Sequence, residues 1–144
     1  MIEKDTVKLL RECDAGVKMG VSSIDDVLDY VEARPLRDAL NECRREHLQL
    51  GEEIRGELHR YQDEGKDPNP MVKAMSWVKT NAELLVHESD STIADLMTDG
   101  CSMGVKSLNR YLNRYTAADE RSKDIAKRLI HLEQTLSEDV RDFL

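Results

Sequence analysis

Residues 7–31 read VKLLRECDAGVKMGVSSIDDVLDYV, and their spacing decides the fold. Val7, Leu10, Asp14, Val17, Val21, Ile24, Leu28 and Val31 recur in alternating steps of three and four. That rhythm keeps one edge of a helix apolar along its whole length, so the stretch predicts a long first helix from about Glu3 to Ala33 with a buried seam. Pro35 has a φ that suits a first helical turn and lacks the donor such a turn leaves unpaired, so it marks the start of a second helix. Leu36, Leu40, Cys43, His47, Leu50, Ile54, then Glu57 or Leu58, and Tyr61 continue the rhythm there. Gly65 is the expected stop, because glycine readily takes the left-handed conformation that closes a helix, and the KDPNP that follows reads as a loop.

Asn69 and Pro70 form a cap and first-turn pair opening a short helix through Met71, Met75, Val78, Ala82 and Leu85. The polar run from His87 to Ser91 breaks it. A third long helix is predicted from about Thr92 to Tyr115 on Ile93, Met97, Gly100, Gly104, Leu108 and Tyr111. Thr116 with Asp119 resembles a capping pair for a fourth, whose seam is Ala118, Ser122, Ile125, Leu129, Leu132, Leu136, Val140 and Phe143.

Composition agrees. The chain has 144 residues, the size of one domain (1–144), with 40% hydrophobic and 35% charged residues: too apolar for a disordered chain and too charged for a membrane protein. Only 4% of residues are aromatic, which argues against a β-sandwich. A net charge of -8 without a basic cluster repels phosphate backbones and anionic lipid, so neither nucleic acid nor membrane is an expected partner. The acidic amino terminus lacks the basic and apolar stretches of a signal peptide, and Cys13, Cys43 and Cys101 form no CxxC, so a reducing cytoplasm is the expected location.

A short helix of about sixteen residues, at roughly 1.5 Å per residue, is long enough to return along the bundle as a crossover. The second and third long helices would then be parallel, which is the ferritin-like arrangement; a five-helix meander uses the same pattern with those two antiparallel. The chain also resembles a family of short bacterial ferritin-like four-helix bundles of unknown function. The residues that carry the likeness are LLRECDAGVKMG at 9–20, the leucine-rich second helix ending at Gly65, Trp77-Val78-Lys79, and TDGC at 98–101 followed by Val105 to Leu112. The resemblance implies a Glu after the glycine of the third helix, where this chain has Cys101. A carboxylate is thereby removed from any di-metal ligand set.

A carboxylate-bridged di-metal centre needs Glu-x-x-His pairs, and none occurs: Arg44, Gly56, Leu84 and Arg128 stand three residues before the four histidines. No iron oxidation is expected. Asp14 interrupts the first seam, and counting residues from the shared end of the helices sets it level with Ile54, Glu57, Tyr111 and Ser122. The expectation is a buried acceptor held by Tyr111 and Ser122; the alternative is a metal site of Asp14 with Glu57. His47 interrupts the second seam, level with Val21 and with Gly100 and Gly104. It reads as a satisfied buried imidazole, or, with Cys43 one turn away and Cys101, as a soft-metal site of zinc-type ligands. His59, His87 and His131 fall off the apolar stripes and are expected in solvent, while Met71, Met75, Met97 and Met103 are expected to fill core. The reading as a whole is a non-enzymatic, cytoplasmic, interaction or stress-associated module that forms homo-oligomers through a helical face. Its rival is a metal-binding protein holding iron or zinc.

Overall fold

The computed structural model describes residues 2–68 and 89–144, and these are helical, with no strand among them. Four long helices are present: α1 (Ile2–Leu28), α2 (Arg34–Arg60), α3 (Asp90–Arg114) and α4 (Glu120–Val140), the last running into a 3-10 turn at Arg141–Phe143. None of these is long and apolar enough to cross a membrane. The expected crossover helix, with Asn69, Pro70, Met71, Met75, Trp77 and His87, lies outside the described residues.

Caps and turns set the directions. Asp90, in the first turn of α3, accepts the backbone N–H groups of Glu32 and Ala33 through its two oxygens, at 2.9 Å each. This places the start of α3 beside the short α1–α2 link. At the far end, Asp5 accepts from the Ala117 N–H (3.0 Å) and the Thr6 hydroxyl accepts from the Asp119 N–H (2.8 Å), so the α3–α4 turn sits over the start of α1. α3 therefore runs opposite to α1 and parallel to α2.

The helix boundaries differ from the expected ones for local reasons. α1 ends at Leu28, yet Val31 is still buried in the link. Thr116 is not the cap of α4; Asp119 is, its carboxylate accepting the Ser122 N–H at 2.8 Å. α2 stops before Gly65. The Gln62 N–H bonds to the His59 carbonyl and the Asp63 N–H to the Leu58 carbonyl, the paired bonds that close a helix around one left-handed residue. That residue is Gln62, at φ 57°.

The α2 seam is buried as predicted from Leu36 to Leu58, with Tyr61 half-buried past the helix end, but α1 is rotated slightly. Its innermost row runs through Thr6, Leu10, Cys13, Val17, Gly20, Ile24, Val27 and Val31, leaving Val7, Val21 and Leu28 on the flank. On α3 the row passes through Cys101, which is buried, rather than Gly100, which is exposed. Met103 is 64% exposed and fills no core.

The apolar interior comes in two parts. One holds Ile24, Val27, Leu36, Leu40, Ile93, Met97, Leu136 and Val140; the other holds Leu9, Leu10, Leu50, Ile54, Leu58, Leu108, Ile125 and Leu129. Each draws on all four helices. Between them in sequence on every helix lies one level of the bundle, at Gly20, His47, Gly104 and Glu133.

Candidate functional site

That dividing level contains the polar chemistry of the interior. His47 is 1% exposed, and its ring is held at both nitrogens. Nδ1 lies 2.8 Å from the carbonyl oxygen of Cys43 and 3.4 Å from its Sγ, while Nε2 lies 3.1 Å from Glu133 Oε1. A carbonyl oxygen only accepts, so Nδ1 carries a proton; an ionised carboxylate only accepts, so Nε2 carries one too. The arrangement suits an imidazolium facing a carboxylate. Burial alone pulls an imidazole down, but the bonds to Cys43 and Glu133 outweigh it and raise His47 to about 10.

Glycines make the room. A Cβ on Gly20 would lie 2.8 Å from both Cδ2 and Nε2 of His47, and one on Gly104 would lie 3.4 Å from Glu133 Cδ. α1 and α3 thus give up their side chains where α2 and α4 place theirs. Cys101 belongs to the same group: burial, then the charge of Glu133 and a hydrogen bond to it, push its thiol up. All three effects favour the protonated thiol, a poor nucleophile.

Of the residues singled out in sequence, Cys43, His47 and Cys101 are drawn toward one level, and Glu133 was missed. Leu132 had taken the seam position between Leu129 and Leu136 because it is apolar, although the adjacent Glu133 fits the same step. Among the described residues no group of three or more His, Cys, Asp or Glu side chains is arranged to hold a metal ion. Cys43 Sγ lies against Nδ1, on the opposite side of the ring from Glu133.

Asp14 and Glu57 are both buried but have separate partners. Asp14 Oδ2 accepts from the Lys66 N–H (3.0 Å) and pairs with Lys18 Nζ (2.9 Å); Glu57 pairs with Arg60 (3.0 Å) and Arg121 (2.8 Å). The donors expected for Asp14 are engaged elsewhere. Ser122 Oγ donates to the Asp119 carbonyl, and the Tyr111 hydroxyl is raised by burial and by Glu12, to which it bonds. The reason is the irregular segment after α2, which folds over α1 and brings its own donors. Arg11–Asp63, Glu12–Lys66 and Lys18–Asp67 ion pairs fasten it down. Gly65, at φ 92°, lets it approach, since a Cβ there would collide with the Asp14 carboxylate. Asp14 Oδ1 is buried without a partner. His59 and His131 are exposed, as expected.

Compared with protein-family models, with curated proteins and with solved structures, the chain matches none, and what the His47–Glu133 level does has to come from its own geometry.

Proposed function

We propose that this chain is a non-enzymatic helical module, ferritin-like in build and of the bacterial, cytoplasmic kind, that acts by contact with other protein surfaces, its own included. Among the described residues, several interior groups able to do chemistry are held by neighbours: His47 by Glu133 and the Cys43 carbonyl, Cys101 by Glu133, Asp14 by Lys18 and the Lys66 N–H. Such a level costs desolvation and repays it in one defined register of the four helices. The observation that carries the reading lies outside, on the α1–α2 face, where Leu48 is 41% exposed beside a hollow floored by Val17 and Val21. An apolar floor with an exposed leucine beside it, edged by charged side chains, suits a protein partner. A photo-crosslinking residue at position 48, activated in cells, tests this: protein adducts are expected, and their absence would remove the support for the reading.

The second reading, a zinc-type centre, is favoured by one observation. Cys43, His47, Cys101 and Glu133 are donor types that zinc takes, and an Nδ1–H bonded to a backbone carbonyl is how metal-bound imidazoles are commonly oriented. It requires Cys43 and Glu133 to turn toward a common point. Stoichiometric zinc in protein purified without chelator, lost in Glu133→Gln, would favour this reading over the first.

A further inference from the structure

Cys43, His47 and Glu133 form a chain of contacts within the dividing level. Cys43 Sγ lies 3.4 Å from His47 Nδ1, and His47 Nε2 lies 3.1 Å from Glu133 Oε1. A sulfur, an imidazole and a carboxylate joined in that order make the arrangement in which a thiol is prepared for attack: the ring holds a proton beside the sulfur, and the carboxylate fixes the ring and keeps it charged. The Nδ1–H is shared with the Cys43 carbonyl at 2.8 Å, which holds that side of the ring against its own helix.

The three cysteines are not equivalent. Cys13 is fully buried in the other part of the core, where burial and then the charges of Glu12 and Asp14 push its thiol up to about 12. The Cys101 thiol is pushed up by burial and then by Glu133. Carboxylates face both, and a neighbouring negative charge opposes the thiolate, which is the form that attacks. Of the three, Cys43 is the one set against a cation, and it keeps 6% exposure where Cys101 keeps 3% and Cys13 none. The level is not sealed, since Gly20, Gly104 and Glu133 are only half-buried. So little exposure leaves no room for an ester or a peptide beside the sulfur, whereas hydrogen peroxide is scarcely larger than water.

We propose that Cys43 is an oxidation site for hydrogen peroxide, its sulfur taking one peroxide oxygen to become a sulfenic acid while His47, held by Glu133, protonates the departing oxygen. The thiol first releases its proton to solvent. The sulfur then gives an electron pair to one oxygen, the O–O bond breaks, and the hydroxide that departs takes the Nδ1 proton and leaves as water; sulfur is oxidised, the peroxide is reduced, and His47 regains a proton from solvent. Glu133 is a positioning residue, since it acts through the ring. The product places a new polar group at the level that registers the four helices, so the modification acts on packing and is reversible by thiols. It goes beyond the interaction reading and does not depend on it.

The test exposes the full chain, with chelator present, to millimolar hydrogen peroxide and dimedone and locates the adducts by mass spectrometry. Cys43 should be labelled well ahead of Cys13 and Cys101. Cys13 in the same sample gauges opening of the fold, so the ratio of Cys43 to Cys13 labelling is the quantity read. His47→Gln should lower that ratio about tenfold or more. The groups that face the ring are Cys43 on its own helix, Glu133 on α4 with Cys101 of α3 bonded to it, and Gly20 on α1. Glu133→Gln removes the charge that keeps the ring protonated, so the ratio should fall at a lower pH than in the wild type. Cys43→Ser should lose the adduct with no gain at the other two cysteines. Equal labelling of Cys43 and Cys13 in the wild type, no adduct at Cys43, a ratio unchanged in His47→Gln, or the same pH profile in Glu133→Gln overturns the proposal.

Discussion

Gly20 and His47 touch so closely that the helix carrying the one has no space for a side chain against the ring of the other, a Cβ at position 20 lying 2.8 Å from two ring atoms. Helix propensity favours alanine over glycine by about 1 kcal/mol, so an open site gains from the exchange. Here overpacking opposes it by about 1–3 kcal/mol. Gly20→Ala is expected to lower stability in urea denaturation, whereas Gly56→Ala and Gly100→Ala, where an added Cβ meets nothing within 4 Å, should raise it. A stabilised Gly20→Ala would mean that the ring is not held where the structure puts it.

The His47–Glu133 pair should behave as a unit. Removing either partner strands the other in the interior, and breaking such a pair costs about 3–5 kcal/mol. Replacing both with leucine removes the stranded charge, so His47→Leu/Glu133→Leu should lose less than the sum of His47→Leu and Glu133→Leu. Additive losses in a double-mutant cycle would show the two side chains to be independent.

Stability should also depend on pH through His47. Its folded value, about 10, stands above the unfolded 6.5, so the folded state holds a proton that the unfolded state releases first. The contribution is whole below 6.5 and is lost as pH rises through about 10. Between those values the wild type should weaken more steeply than Glu133→Gln, which removes the charge facing the ring. Parallel slopes in the two proteins would contradict the assignment of an imidazolium.

Asp14 is tied to the segment that folds over α1. Asp14→Leu leaves the Lys66 N–H without its acceptor and Lys18 with only its bonds to Asp67 and the Lys66 carbonyl, an expected loss of about 1–3 kcal/mol, while Asp14→Asn keeps an acceptor and should lose less. Gly65→Ala should be at least as damaging, through both the positive φ and the collision with Asp14. Hydrogen exchange in residues 61–68 is the measurement, and protection unchanged in Asp14→Leu would argue against the tie.

Gln62 occupies the left-handed position that ends α2, a conformation costing an L-residue about 1 kcal/mol. Gln62→Gly is expected to recover roughly that amount. A lower melting temperature would show that the Gln62 side chain contributes more than its backbone costs.

Much of the fold was legible because the α2 seam is apolar at almost every buried position, so its rhythm has one solution. α1 was harder. Its inner row passes through Cys13 and Gly20, which carry little apolar signal, and Asp14 and Val21 fit the same steps one residue on. The stop of α2 was misplaced because glycine signals a left-handed residue, and here Gly65 uses that freedom to clear Asp14 while Gln62 does the terminating. Cys43 and His47 were readable as a pair from their one-turn spacing. Glu133 was not, because a carboxylate beside a leucine on an amphipathic helix normally marks the solvent edge. Its depth follows only from the space left by Gly20 and Gly104, on two other helices.

The bonds from Asp5 to Ala117 and from Thr6 to Asp119 join positions 112 and 113 apart in the chain. On a ribosome the first turn of α1 emerges well before the α3–α4 turn, and its two acceptors wait until that turn has left the exit tunnel. Until then the inner row of α1 lacks the helices that cover it, and closing so long a loop is slow. Nascent chains halted before Ala117 clears should therefore remain open to protease along α1, and protection should arrive late and all at once rather than helix by helix.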